Sequence, residues 1–217
     1  MPDYIKFPLT LMVICGIAAA ALAGVRSMTK ERMAASEQRK LVDAFKKAAE
    51  DAEPPREYGR FEKADVAVEG EPGARCYKLY DKSGECYGIA SEGKGTGYNA
   101  GSPIQVIVAA DPAEGKVISV VVVSAEETPG LGQKIKDEPA PNTIIGKLAG
   151  RPDKKGPLRP EFLVKFKGLS ASEASLKRAG GKIDAITGAT VTSNAVCAAV
   201  REALEKIEAY RRKPSAP

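Results

Sequence analysis

Ile104-Gln105-Val106-Ile107-Val108-Ala109, then Asp111-Pro112-Ala113-Glu114-Gly115, then Lys116-Val117-Ile118-Ser119-Val120-Val121-Val122-Val123-Ser124 is the stretch that decides the fold. The first block is rich in β-branched residues and reads as a strand. The middle block is a turn, with Pro, Asp and Gly in close succession. The third block returns as a second strand. Val117 to Val123 are apolar on both faces, which predicts a central strand covered on both sides.

Upstream, Arg75 to Tyr80 and Glu85 to Ile89 flank Asp81-Lys82-Ser83-Gly84, a second hairpin signal. With residues 81–84 as the loop, Cys86 stands opposite Leu79. Cys76 is three residues from Leu79, so the pleat puts the two thiols on opposite faces and predicts that they are free. Downstream, residues 136–160 carry five prolines and several charges and read as loop. Phe162 to Lys167 alternates and reads as one further strand. Asn194 to Arg211 reads as a helix with Val196, Val200, Leu204 and Ile207 on its apolar stripe, capped by Thr192 or Ser193. Cys197, beside that stripe, is read as packing. The fold class is α+β: antiparallel hairpins or a mixed sheet packed with helices, ending in a long C-terminal helix.

The N-terminal part is of another kind. No residue from Phe7 to Val25 is charged, and about 20 apolar residues span a hydrocarbon core. This predicts a membrane anchor over residues 1–26. Ala21-Leu22-Ala23 also resembles a signal-peptidase site, but the apolar run is long for a signal peptide. Bulky Ile14 before Cys15 argues against lipid attachment there. Lys6 precedes the span, and Arg26, Lys30 and Arg32 follow it, so charge alone would put the C-terminal bulk in the cytoplasm. Thr29 to Asp51 reads as a polar helix with a narrow stripe at Leu41, Ala44, Phe45 and Ala48, hence a helical stalk over 27–55 ended by Pro54-Pro55. The globular domain is expected over 56–212, with 213–217 frayed.

Composition excludes much chemistry. The 217 residues include four Cys and no His or Trp. Without His there is no Ser-His-Asp or Cys-His device and no His-ligated zinc or haem. The cysteines are isolated, so neither an iron–sulfur cluster nor a zinc ribbon is expected, and no metal ligands are assigned. The formal charge of +5 is modest and spread along the chain, so nucleic acid is not an expected partner.

Two motifs remain. Asp184-Ala185-Ile186-Thr187-Gly188-Ala189-Thr190-Val191-Thr192-Ser193 is a hydroxyl-rich loop running into a helix start. Free N–H groups and the positive end of the helix dipole favour a phosphate there, and an ordinary capped helix has the same composition. Glu127-Thr128-Pro129-Gly130-Leu131-Gly132 directly follows the Val-rich strand. It is either a plain turn or a loop whose glycines admit a flat ligand.

Together these motifs resemble the FMN-binding domain family. Thr-Gly-Ala-Thr with Asp184 before it and Val191-Thr192-Ser193 after it looks like that family's flavinylation motif. Glu-Thr-Pro-Gly-Leu-Gly looks like its second signature. Gly97-Tyr98, followed by strand, Gly115 turn and strand, matches as well, so the resemblance covers roughly residues 88–200. Thr187 stands where Ser is commoner. With the anchor and stalk included, the chain is most similar to the RnfG family of the Rnf electron transport complex. It is also similar to the NqrC family of the sodium-pumping NADH:quinone oxidoreductase.

The resemblance implies FMN held as a phosphoester on Thr190. It implies Thr187, Gly188, Ala189 and Thr192 around the phosphate or ribityl chain. Glu127, Thr128, Gly130, Leu131 and Gly132 would lie along the isoalloxazine ring. Asp184 is assigned to positioning the loop or to recognition by a flavin transferase that uses FAD and Mg²⁺. Lys165 is an outside candidate for a flavin or phosphate partner. The implied role is electron relay between ferredoxin and NAD in a multi-subunit membrane complex that moves ions, with no catalytic acid–base pair in this chain. The family places the FMN domain outside the cytoplasm, on the periplasmic face of the bacterial inner membrane, against the charge count. A free-standing extracytoplasmic flavoprotein, and an anchored domain without flavin, are the other readings.

Overall fold

The computed structural model describes residues 3–68, 71–99, 101–127, 132–136 and 160–212. The chain divides into two units, residues 1–42 and 43–217. Helix α1 (Asp3–Asp51) runs through the first unit into the second. Within it, Leu11–Lys30 is 20 residues long, has a mean hydropathy of 1.9 and is exposed, as a membrane span requires.

The second unit holds strands β1 (Tyr58–Val68), β2 (Glu71–Asp81), β3 (Cys86–Gly95), β4 (Ile104–Ala110) and β5 (Val117–Ser124). They form one antiparallel sheet in chain order. Among the described residues two further α-helices follow, the short α2 (Glu161–Val164) and the long α3 (Thr190–Arg212). The α+β class read from the sequence is therefore the observed one.

Helix α3 packs on one face of the sheet. Ala195, Ala199 and Ala203 form a stripe of small residues at helical spacing, all fully or almost fully buried. A Cβ at Gly95 would overlap the Ala195 carbonyl oxygen, and one at Gly93 would overlap that of Ala199. Only glycine lets the helix backbone come this close to the strand. The pairing also fixes direction: toward the C-terminal end of β3, α3 runs back to its own N-terminus. There β4 begins, with Ile104 opposite Gly95, and β5 ends, with Ser124 opposite Gln105. Three strand ends and the first turn of α3 thus meet at one end of the sheet. Val196, Val200, Leu204 and Ile207 fill the core below, as their spacing predicts.

The opposite face is covered by the last turns of α1. Phe45 is fully buried, 5.2 Å from the Phe61 ring and 5.3 Å from Tyr77 between centroids. Its carbonyl accepts the Tyr87 hydroxyl at 3.2 Å, and the Ser119 hydroxyl donates to Asp51 at 2.6 Å. The stalk expected over 27–55 is corrected here. From Asp43 the helix belongs to the compact unit, because Ala44, Phe45, Ala48 and Ala49 supply the core of this face.

Three local expectations also change. β5 is an edge strand, not a central one. Its valines are only partly buried beyond Val120, and among the described residues its edge meets Gly168 and Leu169 at Val117. Phe162 to Lys167 is helix α2 and the turn that follows it, not a strand. The buried residues Phe162, Leu163 and Phe166 follow helical spacing, and the Phe162 and Phe166 rings meet edge to face at 5.6 Å. Finally, a bulge between Leu79 and Tyr80 pairs Tyr80 with Cys86 and Leu79 with Gly88. Cys86 therefore shares a face with Cys76. Both thiols are free, because four residues of strand hold them about 13 Å apart. Burial pushes the Cys76 and Cys197 thiols up to about 11, so neither is a nucleophile at neutral pH. The expected loop over 136–160 lies almost wholly outside the described residues, as does the tail 213–217.

Asp81 organises the β2–β3 turn. One carboxylate oxygen accepts from the Ser83 hydroxyl at 2.5 Å and from the Ser83 and Glu85 amides at 2.9 and 3.0 Å. The other faces Arg56 at 3.0 Å. The Ser83 hydroxyl leads these donors in holding its pKa down to about 2. A depressed carboxylate stabilises the fold fully above its unfolded pKa of about 3.9 and loses that contribution as pH falls toward the folded value. Equilibrium unfolding should therefore show stability falling between about pH 4 and 2, with a shallower fall in Asp81→Asn. In the same assay Gly95→Ala, whose methyl meets the Ala195 carbonyl, should cost about 1–3 kcal/mol or more.

Candidate functional site

The two motifs come together where the strand ends meet the start of α3. Glu127, three residues past β5, is 5% exposed. Its Oε2 accepts the Thr192 hydroxyl at 2.7 Å, and its Oε1 accepts the Tyr98 amide at 3.2 Å. A single carboxylate thus joins the loop after β5, the segment after β3 and the first turn of α3. Gly132 packs against it: a Cβ there would lie 2.7 Å from Thr192 Oγ1 and 2.9 Å from Glu127 Cβ.

The Thr-rich loop is built by its own sequence. Ala189 N–H donates to the Ile186 carbonyl at 3.0 Å, closing a turn over Thr187 and Gly188. Gly188 has φ +78°, which a side chain at the third position of such a turn disfavours. Helix α3 then begins at Thr190. It was expected at Asn194 with Thr192 or Ser193 as cap, so the helix starts four residues earlier. Both residues lie inside the first turn because each is buried and has a partner off the helix axis. Ser193 Oγ accepts the Ile186 amide at 2.9 Å and donates to the Ala189 carbonyl at 2.8 Å, locking the turn onto the helix. Ser193 is therefore not the cap expected from the sequence; its place one helical turn after Ala189 is the signal for this bond.

Thr187, Gly188 and Asp184 are exposed, Ala189 is buried and Thr190 is partly buried. Asp184 is paired with Lys177 at 2.8 Å, and that ammonium, with Lys165 contributing, holds its carboxyl below the usual range. Lys165 lines the same hollow of ≈ 230 Å³ as Asp184, with Glu161, Phe162, Ala185 and Ile186. The structure thus places Glu127, Gly132, Thr192 and Thr190 at one locus, and Lys165 beside Asp184. Thr128, Gly130 and Leu131 lie outside the described residues.

Thr190 therefore presents a hydroxyl at the first position of a 23-residue helix, whose first amides lack intrahelical acceptors. The adjoining turn is tight and small. This donor set suits a phosphate monoester or diester; no cluster of three Cys, Asp or Glu is found among the described residues.

A sequence model of the FMN-binding domain matches residues 97–205. That is half of the chain, it begins at Gly97 and it contains both motifs, so this protein belongs to the FMN-binding domain family. Among its relatives, the G subunit of the ion-translocating oxidoreductase complex of Methanosarcina acetivorans is 28% identical over 207 residues, 94% of each chain. The protein of the same name from Stutzerimonas stutzeri is 28% identical, covering 91% of this chain and 78% of its own. The crystal structure of Shewanella oneidensis NqrC overlaps 71% of this chain and 67% of that one, at 23% identity and a TM-score of 0.45.

Removing the Thr192 hydroxyl while keeping its shape tests the junction. Thr192→Val leaves Glu127 Oε2 buried without its donor, which should cost about 1–3 kcal/mol in thermal or urea unfolding. Thr187→Val, on the exposed turn, should change stability by less than about 0.5 kcal/mol.

Proposed function

We propose that this chain is a membrane-anchored electron-transfer component of an ion-translocating oxidoreductase complex, and that it carries FMN as a phosphoester on Thr190. The observation that carries this reading is the Glu127–Thr192 hydrogen bond, which brings both family motifs to the N-terminus of α3. The similarity along nearly the whole chain to the Methanosarcina and Stutzerimonas proteins supports the role within a complex. The apolar span Leu11–Lys30 supports the anchor.

The residues fit the phosphate end of FMN. Thr190 would supply the ester oxygen, the first amides of α3 would hold the phosphate, and the Thr187 hydroxyl on the exposed turn would be a further donor. Thr192 and Glu127 hold the two loops in register. When bound, FMN supplies reversible one- and two-electron chemistry, and the protein tunes it by hydrogen bonds and water exclusion. The chain needs no acid–base pair of its own for relay.

Attachment is another matter. A threonine hydroxyl is a poor nucleophile without a base. The chain has no His, Glu127 is engaged by Thr192 and Tyr98, and Asp184 is engaged by Lys177. The base must come from outside, from a flavin transferase using FAD and Mg²⁺. The Thr190 oxygen bonds to the flavin-side phosphorus, the pyrophosphate bond breaks, AMP leaves, and the hydroxyl proton passes to the transferase. Asp184, exposed at the head of the loop, is placed for recognition by that enzyme. The FMN domain lies on the extracytoplasmic face of the inner membrane.

Full-length protein incubated with such a transferase, FAD and Mg²⁺ should show a fluorescent band after denaturing electrophoresis. Thr190→Val should show none, and Thr187→Val should still label. Labelling of Thr190→Val would place the ester elsewhere. Alkaline phosphatase fused after Arg212 should be active in cells; an inactive, stable fusion would reverse the orientation.

A further inference from the structure

The described large hydrophobic side chains that stay exposed in residues 43–217 are Tyr98 at 77%, Val164 at 55% and Val191 at 53%. Isolated exposed apolar residues are ordinary. Here, however, two of the three flank the same buried carboxylate. Val191 lies between Thr190 and Thr192, whose hydroxyl is donated to Glu127 Oε2. The amide of Tyr98 is donated to Glu127 Oε1. The backbone before Tyr98 is also pinned, since a Cβ at Gly97 would overlap the same oxygen. The Tyr98 ring is thus displayed to solvent from a fixed backbone, tied through one carboxylate to the first turn of α3.

We propose that Tyr98 is an aromatic wall of the flavin site, against which the isoalloxazine ring of the FMN on Thr190 packs, with Val191 beside it. This rests on the flavin reading above. A flat, largely apolar ring gains most from a rigid aromatic face with a polar edge, and a tyrosine offers both. The pinned backbone limits the ordering cost of that contact. Neither motif contains an aromatic residue of its own.

The test uses full-length protein flavinylated by its transferase, in wild-type, Tyr98→Leu and Tyr98→Trp forms. Peptide mass at Thr190 fixes the occupancy of each. Emission is read per bound flavin, because an electron-rich ring stacked on isoalloxazine quenches its fluorescence. Visible circular dichroism of the flavin band is read alongside. Tyr98→Leu should be severalfold brighter than wild type, with a weakened visible dichroism, while Tyr98→Trp stays quenched. Without flavin the three should melt together, since the side chain is then exposed. Equal emission and dichroism in wild type and Tyr98→Leu at equal occupancy would overturn the wall and leave the Thr190 ester standing. Wild type without flavin on Thr190 would overturn both.

Discussion

The close contact between α3 and β3 is the constraint on which the rest of the structure depends. Two helix carbonyls rest on two glycines, with alanines between them, so the helix is fixed in height, rotation and direction at once. A larger residue at Gly93 or Gly95 would lift α3 off the sheet and open the core formed by Val196, Val200 and Leu204. The same contact aims the helix N-terminus at the end of the sheet where β3 and β5 finish and β4 starts. The position of Thr190 is therefore a consequence of packing two turns away.

Glu127 turns that position into a site. A buried carboxylate is costly unless its lone pairs are met, and here a hydroxyl and an amide meet them. Because those donors come from different segments, satisfying one carboxylate joins three parts of the chain far apart in sequence. The family resemblance names both motifs; the geometry explains why they must occur together. Glu127 itself and the segment at Tyr98 are the parts that this carboxylate brings to the first turn of α3.

Much of this was legible in the residues. The hairpin at Asp111–Gly115, the core stripe of α3 and the apolar N-terminal span follow from local periodicity and turn chemistry. What was not legible depended on tertiary partners. The Val117–Val123 run has the apolar pattern of a covered strand, yet Val121 to Val123 stay half-buried in an edge strand, and edge or centre cannot be told from the pattern. Phe162 to Lys167 is too short for its period to separate a helical turn from a strand. The stripe at Ala44, Phe45 and Ala48 gave a helix but not the aromatic cluster it completes with Phe61 and Tyr77. For the site, Thr190 and the two motifs were named from the sequence. The buried role of Thr192, the Ser193 lock and the display of Tyr98 were not, because each depends on a hydrogen bond to a distant segment or to the folded turn.

The central claim is that this arrangement exists to carry a flavin ester on one hydroxyl. Its most direct test is the mass of the peptide spanning Thr190, from protein isolated out of its own membranes and denatured. A gain equal to FMN less one water, localised by fragmentation to Thr190, is the result this account predicts. An unmodified Thr190 peptide, from cells shown to contain the transferase, would contradict it.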